Sequence, residues 1–489
     1  MDRNVSKPHA IMISVPYQGH INPFVNLALK LASNGFSITF VHFEFVHHML
    51  SKSQNSNGTS EFDGFSKARK SGLDIRYTTI NDGFPIEFDR DLHLVEYRES
   101  LLEHFPARVD EFVGSIIESN PSMVHFLVVD TIFYCGVSTA KKHKLVNVSF
   151  WTEPALVIYL ANCTKILREN GHFPCKDNIE EDINYIPGVQ TISTRDLMPY
   201  LKEAQINTFD SKLMFKVFND VEKADFILYN TVQELETDTI SALNKKFQKN
   251  YAIGPIGLSK NLPKNTNVTK SLRSESDCTQ WLDSRPPSSV LYVSFGSLVH
   301  ISKQVLQEIA YGLLLSEVNF IWVVRLDIVS STDAEVLPTG FVDEVKDKGL
   351  IIPWCNQIMV LSNPTVGGFL THCGWNSILE SIYCGIPMIC YPITYDQPTN
   401  KKLVVDDWKI GIGLCDGTSV NSEIKRDEVA KKIKTFMSTS HRSKQEIKKV
   451  RATLQSAIKI DGSSERNFDQ FVKDLKEKIY SNNKEIGTN

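Results

Sequence analysis

Twice along this chain a short apolar run leads through a turn into an amphipathic helix and then into a second apolar run. His9 to Val15 is the first such run, "PYQGHINP" is the turn, and Ile21 to Ser33 places Phe24, Leu27, Ala28 and Leu31 on one helical face before Gly35. Ser37 to Phe43 follows as the next strand. A helical connection forces the two strands to run parallel, in a right-handed βαβ unit. The grammar restarts at "SSVLYVSFGS": Lys303 to Leu315 carries Leu306, Ile309, Ala310 and Leu313 at helical spacing, and "FIWVV" is the following strand. Continuous apolar runs such as "MVHFLVVDTIFY" (Met123 to Tyr134) fit strands covered on both faces. An α/β fold with two doubly wound, Rossmann-like domains facing across a cleft is therefore predicted.

The 489 residues are enough for two cores. The expected division is a first domain over 1–256, a polar linker over 257–276, a second domain over 277–460, and a closing segment over 461–489. Phe468, Phe471, Leu475 and Ile479 share one face of that last helix, which should pack back towards the first domain. No internal repeat at periods of 20 to 50 residues is evident. With 53 basic and 57 acidic side chains, and no long block of either sign, the chain offers no electrostatic case for nucleic acid. A small molecule is the expected partner. The nine cysteines lack a CxxC spacing and read as reduced thiols. The apolar run before Pro16 is too short for a signal-peptide core, and no run approaches the roughly 20 residues of a membrane span. A cytoplasmic monomer is the expectation.

Open parallel sheets bind ligands outside the carboxyl ends of their strands, and the unusual residues fall there. "GGFLTHCGWNSILESIYCGIPMICYP" (Gly367 to Pro392) reads as strand, turn, helix, strand. Helix N-termini carry unpaired N–H groups and partial positive charge, so they attract phosphate. Gly374 would admit an anion close to the backbone, and Ser377 and His372 would add donors. Against this, Asn376 or Ser377 could simply cap the helix. Glu380, one turn on, suits a ribose diol; Trp354 offers a flat face for a base, with Gln357 nearby. "FGS" (Phe295 to Ser297) opens the other strand-to-helix turn, and Asp396 and Gln397 offer donors and acceptors for sugar hydroxyls.

Trp354 to Gln397 resembles the signature box of plant family-1 UDP-glycosyltransferases: W-C-x-Q, G-G-F-x-T-H-C-G-W-N-S-x-x-E, G-x-P and D-Q, at that family's spacing. The resemblance extends to "GHINP", "FWTEPA", "YIPGV", "LYNTVQELE", "YAIGP" and "WLDSRPPSSVLYVSFGS". It implies the GT-B fold and a UDP-sugar in the box, with UDP-glucose favoured by Gln397. By that implication Trp354 stacks on uracil, Cys355 contacts it through the backbone, and Gln357 and Glu380 bind the ribose. Ser297, His372, Asn376 and Ser377 hold the diphosphate, with Gly374 in the same turn, while Trp375, Asp396 and Gln397 meet the sugar. The chain departs from the family pattern at Asn356, usually Pro, at Asn363, usually His, and at Thr394 and Tyr395, usually an aromatic-glycine pair. Sugar selectivity is the property those last two bear on.

Displacing UDP from a sugar's anomeric carbon needs a base on the acceptor hydroxyl, and imidazole suits neutral pH. His20 resembles the family's catalytic histidine, Asp130 its partner carboxylate, and Thr152 the position near the sugar's 6-hydroxyl. The implied reaction is a single inverting displacement: His20 takes the acceptor's proton, and the Trp375 helix start and His372 neutralise the departing UDP. No metal or other cofactor is expected. "DRD" (Asp89 to Asp91) reads as a solvated loop, and His47-His48 lacks further ligands at zinc spacing. Phe84, Phe88, Phe133, Tyr134, Trp151, Leu197, Met198 and Phe209 are the expected lining for a lipophilic alcohol or phenol, terpenoid or flavonoid. Three other readings compete. A dehydrogenase lacks GxGxxG at either turn, and an epimerase would need a carboxylate cluster that cannot be placed. A non-catalytic UDP-sugar sensor would gain nothing from pairing His20 with Asp130.

Overall fold

The structure, a computed structural model, describes residues 7–54, 64–90, 92–176, 179–259, 271–329, 336–415, 424–439 and 441–486. Most of the expected linker (260–270) and Asp91 of "DRD" lie outside the described residues. The chain divides into two compact units, one of 1–162, 207–273 and 456–489, the other of 163–206 and 274–455.

The first unit holds a seven-stranded parallel sheet: β1 (Pro8–Ile13), β2 (Ser37–Phe43), β3 (Ile75–Ile80), β4 (Val124–Asp130), β5 (Val146–Trp151), β6 (Phe226–Tyr229) and β7 (Asn250–Ala252). Its order is 3-2-1-4-5-6-7, so the direction of winding reverses between β1 and β4. Every residue of β1 and β2 is buried, which is why these strands read as unbroken apolar runs rather than alternating ones. The first helix spans Gln18–Ser33, three residues earlier than its apolar face suggests. Gly19 and Pro23 look like turn residues, yet buried Ile21, Phe24, Leu27, Ala28 and Leu31 carry the helix through them. His20 is thereby fixed in a helical turn. The helix Ser463–Ile486 buries Phe468, Phe471, Leu475 and Ile479 in the same core. Its buried Glu465 accepts from Lys30 Nζ at 2.7 Å and from Ser259 Oγ at 2.8 Å, so a charge that would be costly alone is fully partnered.

The second unit repeats the plan with six parallel strands: β8 (Val290–Ser294), β9 (Asn319–Val323), β10 (Gly349–Ile352), β11 (Val366–Thr371), β12 (Met388–Cys390) and β13 (Gly411–Gly413). In space they run 10-9-8-11-12-13, with the reversal between β8 and β11. Residues 163–206, placed in the first domain by sequence order, group with this unit. Three bonds hold them: Thr399 Oγ1 donates to the Asp196 carbonyl at 2.8 Å and to Met198 Sδ at 3.0 Å, and Lys401 Nζ donates to Asp196 Oδ1 at 3.2 Å. No described helix is long and apolar enough to cross a membrane.

Candidate active site

Both reversal points carry the expected residues. At the first, His20 follows β1 and Asp130 ends β4. Asp130 is 1% exposed; its Oδ1 accepts the Ile132 N–H at 3.1 Å, and its Oδ2 lies 2.8 Å from His20 Nδ1. A carboxylate can only accept, so Nδ1 carries the proton and Nε2 presents its lone pair. The imidazole is 14% exposed, enough to meet a substrate. Thr152 Oγ1 also sits on His20 Nδ1, at 3.0 Å. The threonine read as a sugar contact thus shares the base's rear hydrogen bond in this structure.

The second reversal point gathers the turn after β8 and the turn after β11. The helix Trp375–Cys384 begins at Gly374, an N-cap residue with no side chain of its own to occupy the first N–H groups. His372 is buried and its ring lies between two glycines. A Cβ on Gly374 would stand 2.4 Å from Nε2, and one on Gly296, whose φ is +73°, would stand 2.5 Å from the same atom. Burial, with the Arg325 guanidinium second and the Ser294 backbone opposing, lowers the His372 pKa to about 4. Near neutrality His372 is thus an uncharged imidazole, a hydrogen-bond donor, and positive potential comes from the helix start.

Beyond the first turn of this helix a polar network takes shape. Gln357 Nε2 donates to Glu380 Oε2 at 2.7 Å and to Ser377 Oγ at 3.0 Å, while its Oε1 accepts from Tyr292 OH at 3.3 Å. Burial raises the Glu380 carboxyl to about 7, against the bond from Gln357. Trp354 is half-buried, and the next residue, Cys355, is 5% exposed with its thiol 3.6 Å from Tyr292 OH. Ser297 is half-buried in the turn after β8. Two side chains read as sugar contacts also bond within the protein. Gln397 Oε1 is taken by the backbone N–H groups of Ile393 and Thr394, at 2.8 and 3.0 Å, so only its amide nitrogen can serve a sugar. The Asp396 carboxylate accepts from Asn400 Nδ2.

The departures from the family pattern have structural work. Asn356 caps the helix Gln357–Ser362 by accepting the Met359 N–H at 3.2 Å. Asn363 Oδ1 accepts from Thr365 N and Oγ1 at 3.0 and 2.7 Å, closing the turn into β11.

Part of the expected acceptor lining is core. Phe133, Trp151, Leu197 and Met198 are all buried, and Leu197 and Met198 belong to the second unit. Tyr134 and Phe209 are half-buried, as are Phe84 and Phe88, which stack with centroids 4.3 Å apart. His47 Nδ1 bonds Tyr77 OH at 2.9 Å, and Asp89 Oδ1 accepts the Leu92 N–H at 2.9 Å. Tyr292, Arg325 and Asn400 were missed in the sequence. Tyr292 and Arg325 lie in or just after apolar strands, where side chains read as core, and Asn400 lies beyond the box.

The family model for UDP-glucoronosyl and UDP-glucosyl transferases matches residues 116–474. This chain belongs to that family. It is 49% identical over 480 residues to UDP-glycosyltransferase 86A1 of Arabidopsis thaliana, across 97% of this chain and 95% of the relative. It is 34% identical over 491 residues to the 7-deoxyloganetin glucosyltransferase of Catharanthus roseus, across 96% and 97%. Among solved structures, Os79 from O. sativa in complex with UDP superposes with a TM-score of 0.79 at 25% identity, covering 95% of this chain and all of that one. The two parallel-sheet units are those of a GT-B glycosyltransferase, and the protein is a UDP-glycosyltransferase enzyme rather than a sensor.

Proposed function

We propose that this UDP-glycosyltransferase transfers glucose from UDP-glucose to a hydroxyl of a lipophilic small molecule, a terpenoid alcohol, flavonoid or other phenolic, with inversion at C1. The observation that carries the reading is the His20–Asp130 pair, whose bond through Nδ1 leaves Nε2 to take the acceptor's proton. The acceptor oxygen then forms its bond to C1 as the C1–O bond to UDP breaks, and both electrons of that bond leave with the diphosphate. The helix start at Gly374, with Asn376 and Ser377, supplies the donors that stabilise the departing charge. Gln357 and Glu380 take the ribose, Trp354 and Cys355 the base, and Ser297 and His372 the phosphates. Trp375, Asp396 and the Gln397 amide take the sugar, with Thr152 near its 6-hydroxyl.

Glucose is supported by Gln397 and by the relative named for glucosylating 7-deoxyloganetin. The exposed faces of Phe84, Phe88 and Phe209 support an apolar acceptor. The domains act as acceptor-binding (1–256) and donor-binding (277–460), in a monomer that needs no metal. Nine cysteines outside any disulfide support a reducing compartment, the cytoplasm.

The test is to incubate the protein with UDP-glucose and a panel of terpenoid alcohols and phenolics, in the presence of EDTA, and to follow the products by mass. Hexose addition to an apolar acceptor is the expected result. Transfer only to sugars, only from another UDP-sugar, or only with added divalent metal would contradict the corresponding part.

A further inference from the structure

One amide ties the phosphate-side turn of the second unit to its sugar-side helix. Asn400, in the helix Gln397–Lys402, is fully buried. Its Nδ2 donates to the Cys373 carbonyl at 2.9 Å and to Asp396 Oδ2. Both partners only accept, so the orientation of the amide is fixed: the NH₂ group faces them and Oδ1 points into the interior, where it meets no hydrogen-bond donor. A buried carbonyl without a donor weakens the fold, and a leucine of similar volume would avoid that cost. The retained amide is explained by what its two N–H groups hold.

What they hold is unusual on both sides. Cys373 is a non-glycine residue at φ +68°, a left-handed backbone that survives only where its surroundings enforce it. Its N–H is bound by Thr371 Oγ1 at 3.1 Å and its carbonyl by Asn400, so the turn that starts the Trp375 helix is pinned on both edges. Asp396 is a buried carboxylate immediately before Gln397, and Asn400 fixes which way its carboxyl plane faces. The helix carrying Asn400 is itself anchored through Thr399 and Lys401 to Asp196.

We propose that Asn400 is a positioning residue for donor recognition, holding the Asp396 carboxylate at a fixed orientation to the phosphate turn so that sugar and diphosphate are read as one rigid object. The inference rests on the assignment of Asp396 to the sugar. Held by Asn400 through Oδ2, the carboxylate keeps one orientation towards the sugar. Loss of the amide lets the carboxylate turn, and discrimination of a sugar nucleotide over bare UDP drops.

The test is calorimetric titration of UDP and of UDP-2-deoxy-2-fluoroglucose, a donor analogue that resists transfer, into wild type, Asn400→Leu, Asp396→Ala and the double variant. The ratio of the two dissociation constants is the readout, because a merely loosened fold weakens both ligands together. Asn400→Leu should shift the ratio against the sugar nucleotide by about tenfold or more, Asp396→Ala similarly, and the double variant no further than the larger single. A ratio unmoved in Asn400→Leu but moved in Asp396→Ala overturns the role of Asn400. A ratio unmoved in Asp396→Ala overturns the sugar assignment and this inference with it. Should Asn400→Leu fail to fold, a crystal structure of wild type with the fluorinated donor decides: Asn400 Nδ2 remains bonded to Asp396 Oδ2 while the carboxylate meets the sugar, and an Asp396 turned away from Asn400 refutes the proposal.

Discussion

Replacing Gly374 by alanine adds one methyl group, and the structure says what that methyl meets. The new Cβ would stand 2.4 Å from His372 Nε2 and 2.9 Å from Cε1. The ring cannot swing away freely, because it is buried and also lies 2.5 Å from the point where a Cβ on Gly296 would be. Overpacking of this kind costs about 1–3 kcal/mol. Gly296→Ala adds a second cost, since its φ of +73° penalises any side chain by roughly 1–2 kcal/mol, for a total of about 2–5 kcal/mol. Gly35→Ala is the control: φ is +87° and nothing lies within 4 Å, so only the backbone term applies. Thermal unfolding should therefore rank Gly296→Ala below Gly374→Ala, each kcal/mol lowering Tm of a unit this size by roughly 2–4 °C. UDP affinity, read by titration calorimetry, should fall about tenfold or more in both and stay unchanged in Gly35→Ala. Removing the ring relieves the clash, so His372→Ala combined with Gly374→Ala should be less harmful than the sum of the singles by about 1–3 kcal/mol. Strict additivity, or a Gly374→Ala protein that binds UDP as wild type does, would refute the idea that the ring fills the space beneath the helix start.

Glu380 gives a pH signature. Its folded pKa of about 7 lies above the ordinary 4.5, so its contribution to stability is full below pH 4.5 and is lost as pH rises towards 7. Ribose hydroxyls favour the ionised form, so UDP affinity should rise with pH through about 7 and binding should release protons; Glu380→Gln should abolish both in calorimetry across buffers of different ionisation enthalpy. His372 works in the opposite direction: with a folded pKa of about 4 against 6.5, its contribution is present above pH 6.5 and is lost as pH falls towards 4. His372→Phe should flatten that acid limb of a stability–pH curve. Asn356→Ala removes the cap on Met359 and should lower stability by about 0.5–2 kcal/mol in denaturant unfolding, with UDP affinity unchanged.

The sheets were legible because a strand buried on both faces has no alternation to hide, and β1, β2 and β4 are such strands. The helix starting at Gly374 was equally plain, since a glycine after a strand and an amphipathic run are local signals. What escaped was set by contacts far apart in the chain. The grouping of 163–206 with the second unit depends on Asp196 meeting Lys401, and no local pattern announces it. Trp151, Leu197 and Met198 are the same residue types whether they line a cavity or fill a core. His372 reads as a donor in sequence, and the low pKa that burial beside Arg325 gives it has no local signal. Gln397 shows a donor and an acceptor, yet the loop at Ile393 and Thr394 uses the acceptor. Asn356 is the exception, for an asparagine just before a helical run is a capping signal that was there to be read.

The central claim is that His20 Nε2, oriented by Asp130 through Nδ1, takes the acceptor's proton. The most direct measurement is single-turnover product formation with UDP-glucose and an acceptor found by screening, for wild type and His20→Ala, alongside the dissociation constant for UDP-glucose. The account predicts turnover reduced by about 10²–10⁴-fold with donor affinity unchanged. Turnover within a few-fold of wild type, or a loss that tracks weakened donor binding, would contradict it.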